Sequence, residues 1–141
     1  MKTFWIIIFS LPVLFFNCGS GSSDDNPEVT EAVAVAQNWL SLVDSGQYSE
    51  SWQISSEIFR TAINQEQWAQ TMTVIRKPLG NLLNRELSSK KYHTTLPGAP
   101  DGEYVVIIFK TSFSNKKSAY ETITPMKEPD GKWRISGYYI K

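Results

Sequence analysis

The sequence is short of the residues from which many functional sites are built. It holds one histidine and one cysteine in 141 residues. A structural zinc site needs about four cysteine or histidine ligands, and this chain cannot supply them. A disulfide within the chain is excluded because it requires two cysteines. We therefore expect no metal site, no cofactor and no internal disulfide.

The chain also lacks an excess of charge of either sign. Lysine plus arginine and aspartate plus glutamate number 14 each, so the formal net charge is zero. Nucleic-acid-binding proteins usually carry a strong basic excess. The basic doublets, Lys90-Lys91 and Lys116-Lys117, are typical of solvated strand ends or turns. Hydrophobic residues make up 41% of the chain, which favours a packed domain that does not bind nucleic acid.

Motifs that identify common enzyme classes are absent as well. The sequence has no glycine-rich phosphate loop, no nucleophile elbow, no metal-binding helix motif and no Ser/His/Asp set. The single histidine, His93, lies beside Thr94 and Thr95 in a stretch with strand character. An exposed histidine is more common at such a position than a catalytic base. These features predict a protein that is not an enzyme.

An apolar leader stands at the start of the sequence. A run of about a dozen mostly apolar residues extends from Phe4 to Phe16, the length of the apolar part of a signal peptide. A membrane-spanning helix needs about twenty such residues. Cys18 follows directly, and its position resembles the lipid-attachment box of bacterial exported proteins, with Asn17 where Gly or Ala is usual.

The leader and Cys18 predict a lipid-anchored protein of the bacterial cell envelope. Residues 1–17 are expected to form the signal peptide, 18–26 the lipidated cysteine and a Gly/Ser/Asp linker, and 27–141 a single domain. Each buried CH₂ of an acyl chain contributes about 0.8 kcal/mol, so two or three chains anchor stably. Gly19 stands where an Asp would favour inner-membrane retention, which mildly favours the outer membrane.

The first part of the domain carries helical patterns. Asn26, Pro27 and the acidic Glu28 form a typical helix start, and Gly46 a typical stop. One apolar stripe recurs between them at three- and four-residue spacing: Ala32, Val35, Ala36, Trp39, Leu40 and Val43. Ser49 is predicted to cap a short second helix.

Another helix is predicted from Asn64, where Gln67 completes a capping box. Its apolar stripe consists of Trp68, Met72 and Ile75. Pro78 ends it, because the residue before a proline is displaced from the helical conformation.

The second part of the domain carries strand patterns separated by turns. Residues 83–87 alternate only weakly, and the predicted strands are 92–96, 103–113, 119–126 and 132–140. The segment 103–113 is apolar on both faces, which is typical of a central strand or of a contact surface. Helices followed by hairpin-linked strands predict an α+β fold, with N-terminal helices packed on a curved, mainly antiparallel four-stranded sheet.

Several blocks of the domain, in their order and spacing, resemble an uncharacterised family of bacterial exported proteins, the domain of unknown function number 4019. The blocks include Trp39-Leu40, Asp44-Ser45-Gly46-Gln47-Tyr48, Arg76-Lys77-Pro78-Leu79-Gly80, the segment 96–104 and the segment 130–139. The resemblance covers roughly residues 33–140. The helix-then-sheet order is also similar to the nuclear-transport-factor-two-like cone. Neither resemblance implies a particular activity.

Glu121 is the most informative ionisable residue of the domain. On a central strand it needs a cation if it faces inward, and Arg76, Arg85 and Arg134 are the candidates. Asp44, at a helix end, is expected to bond the local backbone. The candidate pocket or structural ion pair comprises Glu121, Arg76, Arg85, Tyr104 and Trp133.

The aromatic residues are expected to form most of the core. Trp39, Trp52, Trp68 and Trp133 are predicted core residues, with an aromatic-lined pocket for a small apolar ligand as the alternative. Of the adjacent Tyr138 and Tyr139, one ring is expected to point inward and the other outward.

Three functions are compatible with these observations. The leading hypothesis is a non-enzymatic envelope lipoprotein that binds a small molecule or an envelope protein at the membrane surface. The first alternative is a small isomerase or dehydratase that uses Glu121, Asp44 or His93. The second is a structural or assembly role through a homodimer formed by the sheet.

Overall fold

The computed structural model describes residues 26–141, so the predicted signal peptide and Cys18 lie outside the described range. Within that range, four α-helices precede four β-strands. The helices are α1 (Pro27–Asp44), α2 (Tyr48–Gln53), α3 (Glu57–Ala62) and α4 (Gln65–Arg76), and a 3-10 turn (Lys77–Leu79) follows α4. The strands are β1 (Leu82–His93), β2 (Tyr104–Phe113), β3 (Lys116–Lys127) and β4 (Trp133–Ile140).

The strands form one antiparallel sheet in the order β1-β2-β3-β4, so that neighbours in the sheet are also neighbours along the chain. Helix α1 lies on the inner face of this sheet and contacts all four strands. The predicted α+β class, with helices packed on an antiparallel four-stranded sheet, is confirmed.

Helix α1 begins and packs as its sequence predicts. The Asn26 side chain accepts a hydrogen bond from the Glu28 backbone N–H at 3.0 Å, and Pro27 occupies the first helical position. Val35 is only half-buried. The other five residues of the predicted stripe are buried, and so is Val29, which the prediction did not include. The five are Ala32, Ala36, Trp39, Leu40 and Val43.

The short helices differ from the sequence-based prediction. Helix α2 begins at Tyr48 after Gln47, which makes no side-chain cap, so the prediction that Ser49 caps this helix is wrong. The sequence patterns do not predict α3, because its six residues bury a single apolar side chain, Phe59. The Ser56 side chain, which accepts from the Phe59 N–H, is the local signal for its start.

Helix α4 has the predicted capping box, in which Asn64 Oδ1 accepts from the Gln67 N–H at 2.8 Å. Trp68 and Met72 are buried as predicted. Ile75, however, is 37% exposed, so its place in the apolar stripe is wrong. Arg76 takes the inward position of the last turn instead, because its guanidinium pairs with Asp44.

Strand β1 joins two segments that the sequence separates. It runs without a break from Leu82 to His93, so residues 94–96 fall outside it. The register shifts between Leu87 and Ser89, and this bulge interrupts the alternation of inward and outward side chains. For this reason a strict alternation of apolar and polar residues does not identify 82–93 as one strand.

Strand β2 places one apolar face against the helices and the other on the outside of the sheet. The inner set is buried: Val105, Ile107, Phe109 and Phe113. On the outer face Tyr104 is buried, whereas Val106 and Ile108 remain partly exposed.

The aromatic residues form the centre of the core, as predicted. The Trp39 ring lies 5.7 Å from Trp68 and 5.3 Å from Tyr138, centroid to centroid, and Phe59 meets Trp68 edge-on at 4.9 Å. Trp133 is also buried, and Trp52 packs half-buried against the cluster. The space between helices and sheet is therefore filled by rings at this level.

The domain has two distinct ends. At the first, Glu28 of α1 accepts a hydrogen bond from Lys127 Nζ at 2.9 Å, so the start of α1 lies beside the β3–β4 turn. At the opposite end, the Asn115 N–H between β2 and β3 donates to the Leu79 carbonyl at 2.9 Å. Helices α1 and α4 both end near this second end, where the candidate site is located.

Candidate functional site

The candidate site is built around the Arg85 guanidinium, which bridges two carboxylates. Its Nη1 and Nη2 donate to Asp44 at 2.7 and 2.9 Å. Its Nε and Nη2 donate to Glu121 at 2.6 and 3.1 Å. Arg85 therefore ties the end of α1 to strands β1 and β3, and we call Asp44, Arg76, Arg85 and Glu121 the ion cluster.

Glu121 is the most deeply buried member of the ion cluster, with no exposed surface. Besides the two bonds from Arg85, its carboxylate accepts from Thr111 Oγ1 at 2.6 Å and from the Tyr138 hydroxyl at 2.7 Å. A buried carboxylate is tolerated when it is paired and its lone pairs are occupied. Both oxygens of Glu121 meet this condition.

Arg76 completes the ion cluster but uses only part of its hydrogen-bonding capacity. Its Nη2 donates to Asp44 Oδ1 at 2.8 Å, and its guanidinium carbon lies 4.9 Å from the Phe113 ring centroid. Nη1 approaches Glu121 only to 3.9 Å. Among residues 26–141, Nε and Nη1 have no hydrogen-bond partner although the side chain is only 6% exposed.

The electrostatics of the ion cluster favour its charged form. Burial raises the pKa of Asp44, but the hydrogen bonds from Arg85 and Arg76 outweigh it, and the pKa falls below its usual 3.8. Burial lowers the pKa of Arg85, but the hydrogen bonds and ion pairs with Asp44 and Glu121 together have the larger effect, so the pKa of Arg85 is raised overall. Burial and the Glu121 charge raise the pKa of Tyr138 strongly, so its hydroxyl stays a donor.

An open polar cleft of about 420 Å³ lies beside the ion cluster. Its rim is formed by the residues that end α1 and α4 and by two positive-φ glycines, Gly46 and Gly80. A Cβ on Gly80 would collide with Ser114 Oγ, so residue 80 can approach the β2–β3 turn this closely only as glycine. The polar side chains of the lining are Asp44, Ser45, Tyr48, Thr73, Arg76, Lys77 and Asn81.

The structure brings together three of the five residues of the predicted pocket or ion pair. Glu121, Arg76 and Arg85 meet in the ion cluster. Tyr104 lies apart on the outer sheet face, where its hydroxyl donates to the Pro100 carbonyl at 2.6 Å. Trp133 lies at the first end of the domain, where its Nε1 donates to Glu28 at 3.0 Å. These two do not belong to the site.

Two further expectations about charged residues are wrong. Arg134 is not a partner of Glu121, because it pairs with Glu128 and Asp130 at 2.8 Å each. Asp44 pairs with two arginines, so the expectation of local backbone bonding also fails. The partner of a helix-terminal aspartate depends on which strand passes nearby, and sequence spacing does not contain that information.

The remaining predicted residues lie where the strand pleat puts them. His93 is half-buried on the outer face, opposite Tyr104 in the neighbouring strand. Tyr138 points inward to Glu121 and Tyr139 is 53% exposed, so the inward–outward expectation for this pair is confirmed. Thr111 is the site residue that sequence reasoning misses, although its inward parity with Phe109 on β2 would have identified it.

The described range contains neither a metal-binding cluster nor a membrane-spanning helix. Residues 26–141 hold no group of three or more His, Cys, Asp or Glu side chains arranged to bind a metal ion. Over the same range, every helix is too short or too polar to cross a bilayer.

Comparisons with known proteins identify a family and a fold. A family model described as a protein of unknown function, DUF4019, matches residues 35–138. No curated protein matches the chain. A solved structure of a protein from Catenulispora Acidiphila is similar at 10% sequence identity, with a TM-score of 0.53, and the match covers 79% of this chain and 88% of that one. At this identity the likeness shows a shared fold alone.

Proposed function

The chain belongs to the DUF4019 family of proteins of unknown function, and from that premise we propose that it is an envelope lipoprotein whose domain binds a small molecule without catalysing a reaction. The observation that carries the binding role is Arg76. It lines an open cleft, and its buried Nε and Nη1 make no hydrogen bond within the range 26–141, although Nη1 lies 3.9 Å from Glu121. A buried donor without a partner is rare in folded proteins, and ligand sites are one place where it is found.

Support for the anchor comes from the sequence. The apolar leader is too short to span a bilayer, and Cys18 follows it directly. The proposed linker has a Gly/Ser/Asp composition, and a tether of its length reaches roughly 15 Å, which would keep the domain close to the membrane. Gly19 favours the outer membrane, as set out above.

Support for a non-enzymatic role comes from the carboxylates. A general base must have a free lone pair and a pKa near the working pH. Asp44 is held below its usual pKa by two arginines, and Glu121 accepts four hydrogen bonds. If Glu121 acted as the base of an isomerase or dehydratase, its ion pair with Arg85 would have to break. That would leave two buried charges without a partner, which is energetically costly.

A second candidate function, a homodimer through the sheet, is favoured by the outer face. Val106 and Ile108 are partly exposed there, and Tyr120 and Tyr139 are 41% and 53% exposed. Aromatic side chains are enriched at protein interfaces. Light scattering of the domain without its leader should give twice the mass of that domain if this face pairs, and the mass of a single domain would exclude it.

The anchor is tested by expressing the wild-type chain and Cys18→Ser in a bacterial host with a labelled fatty acid. The wild type should incorporate the label and sediment with membranes, and the variant should do neither. A variant that partitions like the wild type would contradict the anchor.

The binding role is tested by purifying wild-type chain and Arg76→Gln from native membranes and identifying co-purified small molecules by mass spectrometry. A compound present with the wild type and depleted with Arg76→Gln supports the proposal. Exposed Arg60 provides the matched control, and Arg60→Gln should retain the compound. Identical small-molecule profiles for all three proteins would contradict it.

A further inference from the structure

The unengaged donors of Arg76 indicate what kind of atom the cleft accepts. Each buried N–H left without an acceptor costs about 1 to 3 kcal/mol. Arginine has five donors and no acceptor, so only an oxygen or a similar acceptor satisfies Nε and Nη1. Both nitrogens are buried, so the Arg76 side chain would have to shift toward the cleft when a ligand binds.

The protein itself offers no spare acceptor of comparable strength in the cleft. Asp44 is its one carboxylate, and both oxygens of Asp44 already accept from Arg76 and Arg85. The other polar side chains of the lining carry no negative charge, although four of them can accept as well as donate hydrogen bonds: Ser45, Tyr48, Thr73 and Asn81. A second negatively charged acceptor for Arg76 would therefore have to come from a bound molecule.

The charges of the cleft decide how such a molecule is recognised. Among the lining residues, Arg76 and Lys77 are set against Asp44, which leaves one positive charge. Arg85 and Glu121, which do not line the cleft, pair with each other and add no net charge. The C-terminal ends of α1 and α4 offset it, since each carries about half a negative charge. Long-range attraction is therefore weak, and recognition depends on directed hydrogen bonds, which favour planar or tetrahedral oxygen groups over a simple halide.

We propose that the cleft binds the oxyanion group, a carboxylate or a phosphate, of a small soluble molecule, held by Arg76 and Lys77. This inference rests on the proposed binding function and names its ligand class. The cleft volume, about 420 Å³, lies within the usual range for small-molecule sites.

The position of the cleft argues for a soluble source rather than a lipid headgroup. The anchor joins the domain at the start of α1, and the cleft lies at the end of that helix. Eighteen helical residues place about 27 Å between the two. The cleft therefore lies at the opposite end of α1 from the proposed linker, which favours a soluble ligand over a lipid headgroup.

The test uses the full-length chain in detergent, titrated with inorganic phosphate or acetate, with chloride at matched ionic strength as the reference. Phosphate or acetate should raise the unfolding temperature with saturation, and chloride should not. Arg76→Gln should weaken binding by about tenfold or more, because a charge-assisted bond is lost. Lys77→Gln, at an exposed position, should weaken it about threefold, roughly the share of a partly solvated ion pair.

Lys116→Gln, an exposed lysine outside the cleft, should bind as the wild type does. Lys77→Gln keeps the test valid if Arg76→Gln unfolds. Equal responses to phosphate, acetate and chloride, or full binding by Lys77→Gln, would overturn the inference. Phosphatidylglycerol added to the detergent micelles that competes with phosphate, where phosphatidylcholine does not, would overturn the soluble source.

A different outcome separates this inference from the proposed function on which it rests. A co-purified ligand that depends on Arg76 but carries no carboxylate or phosphate would leave the binding function intact and refute the oxyanion class. Absence of any co-purified ligand together with no response to the oxyanions would refute both.

Discussion

At the scale of single residues, the ion cluster is organised by one arginine that satisfies two acids from different elements. Arg85 lies 2.6 Å from Glu121 and 2.7 Å from Asp44, and it is only 12% exposed. Its rigid fork of donors matches two carboxylates at once, which a lysine could not do. The cluster therefore depends on charge pairing at a place where unpaired charge is expensive.

The central acid is the clearest residue to test. Glu121→Gln preserves the size of the side chain but leaves Arg85 and Arg76 with one acid between them. We expect a loss of about 3 to 5 kcal/mol in the free energy of unfolding, the usual effect of removing one partner of a buried ion pair. Urea denaturation measures it. Glu86→Gln on the exposed part of β1 is the control, and a similar small effect for both would contradict the structural role.

The pH dependence of stability follows from Asp44. Its folded pKa lies below the unfolded value of about 3.8, so its contribution is fully present above that pH and is lost as pH falls through the folded pKa. The stability difference between wild type and Asp44→Asn should therefore be constant from pH 7 to 5 and shrink below about pH 4. A difference that grows on acidification, measured by urea denaturation at each pH, would contradict this sign.

At the scale of elements, the parts with complete local signals are the ones that the sequence predicts. Helices α1 and α4 each have an Asn cap, and α1 has a continuous apolar stripe. Helix α3 is too short to show a period, and the bulge beside Ser88 conceals the continuity of β1. The need of Glu121 for a cation was predictable, and Arg76 and Arg85 were among the named candidates. The pairing of Asp44 was not, because it depends on how α1 crosses the sheet.

The turn at Gly80 is an element-scale feature that shapes the cleft. Its φ of 77° and ψ of −151° lie in a region reserved for glycine, and a Cβ would strike Ser114. Gly80→Ala should cost at least about 2 kcal/mol of stability. Gly98 has a similar φ of 75° but open space around it, so Gly98→Ala should cost about 1 kcal/mol. Thermal unfolding of the two variants measures both losses of stability. Equal losses would contradict the expected clash between a Cβ at position 80 and Ser114.

At the scale of the whole molecule, the two ends of the domain have different roles in the proposed account. The end that holds Asn26 connects to the proposed linker and anchor. The opposite end holds the ion cluster and the cleft, separated from the first by the length of α1. In this proposal the cleft and the anchor lie at opposite ends of the domain, and the aromatic core between them stabilises the fold.

Native mass spectrometry of the chain extracted from bacterial membranes tests this account most directly. The account predicts a protein that begins at Cys18, carries acyl chains on that residue, and retains a small carboxylate- or phosphate-containing ligand that Arg76→Gln loses. A chain that still carries residues 1–17, with an unmodified Cys18 and no bound molecule, would contradict it.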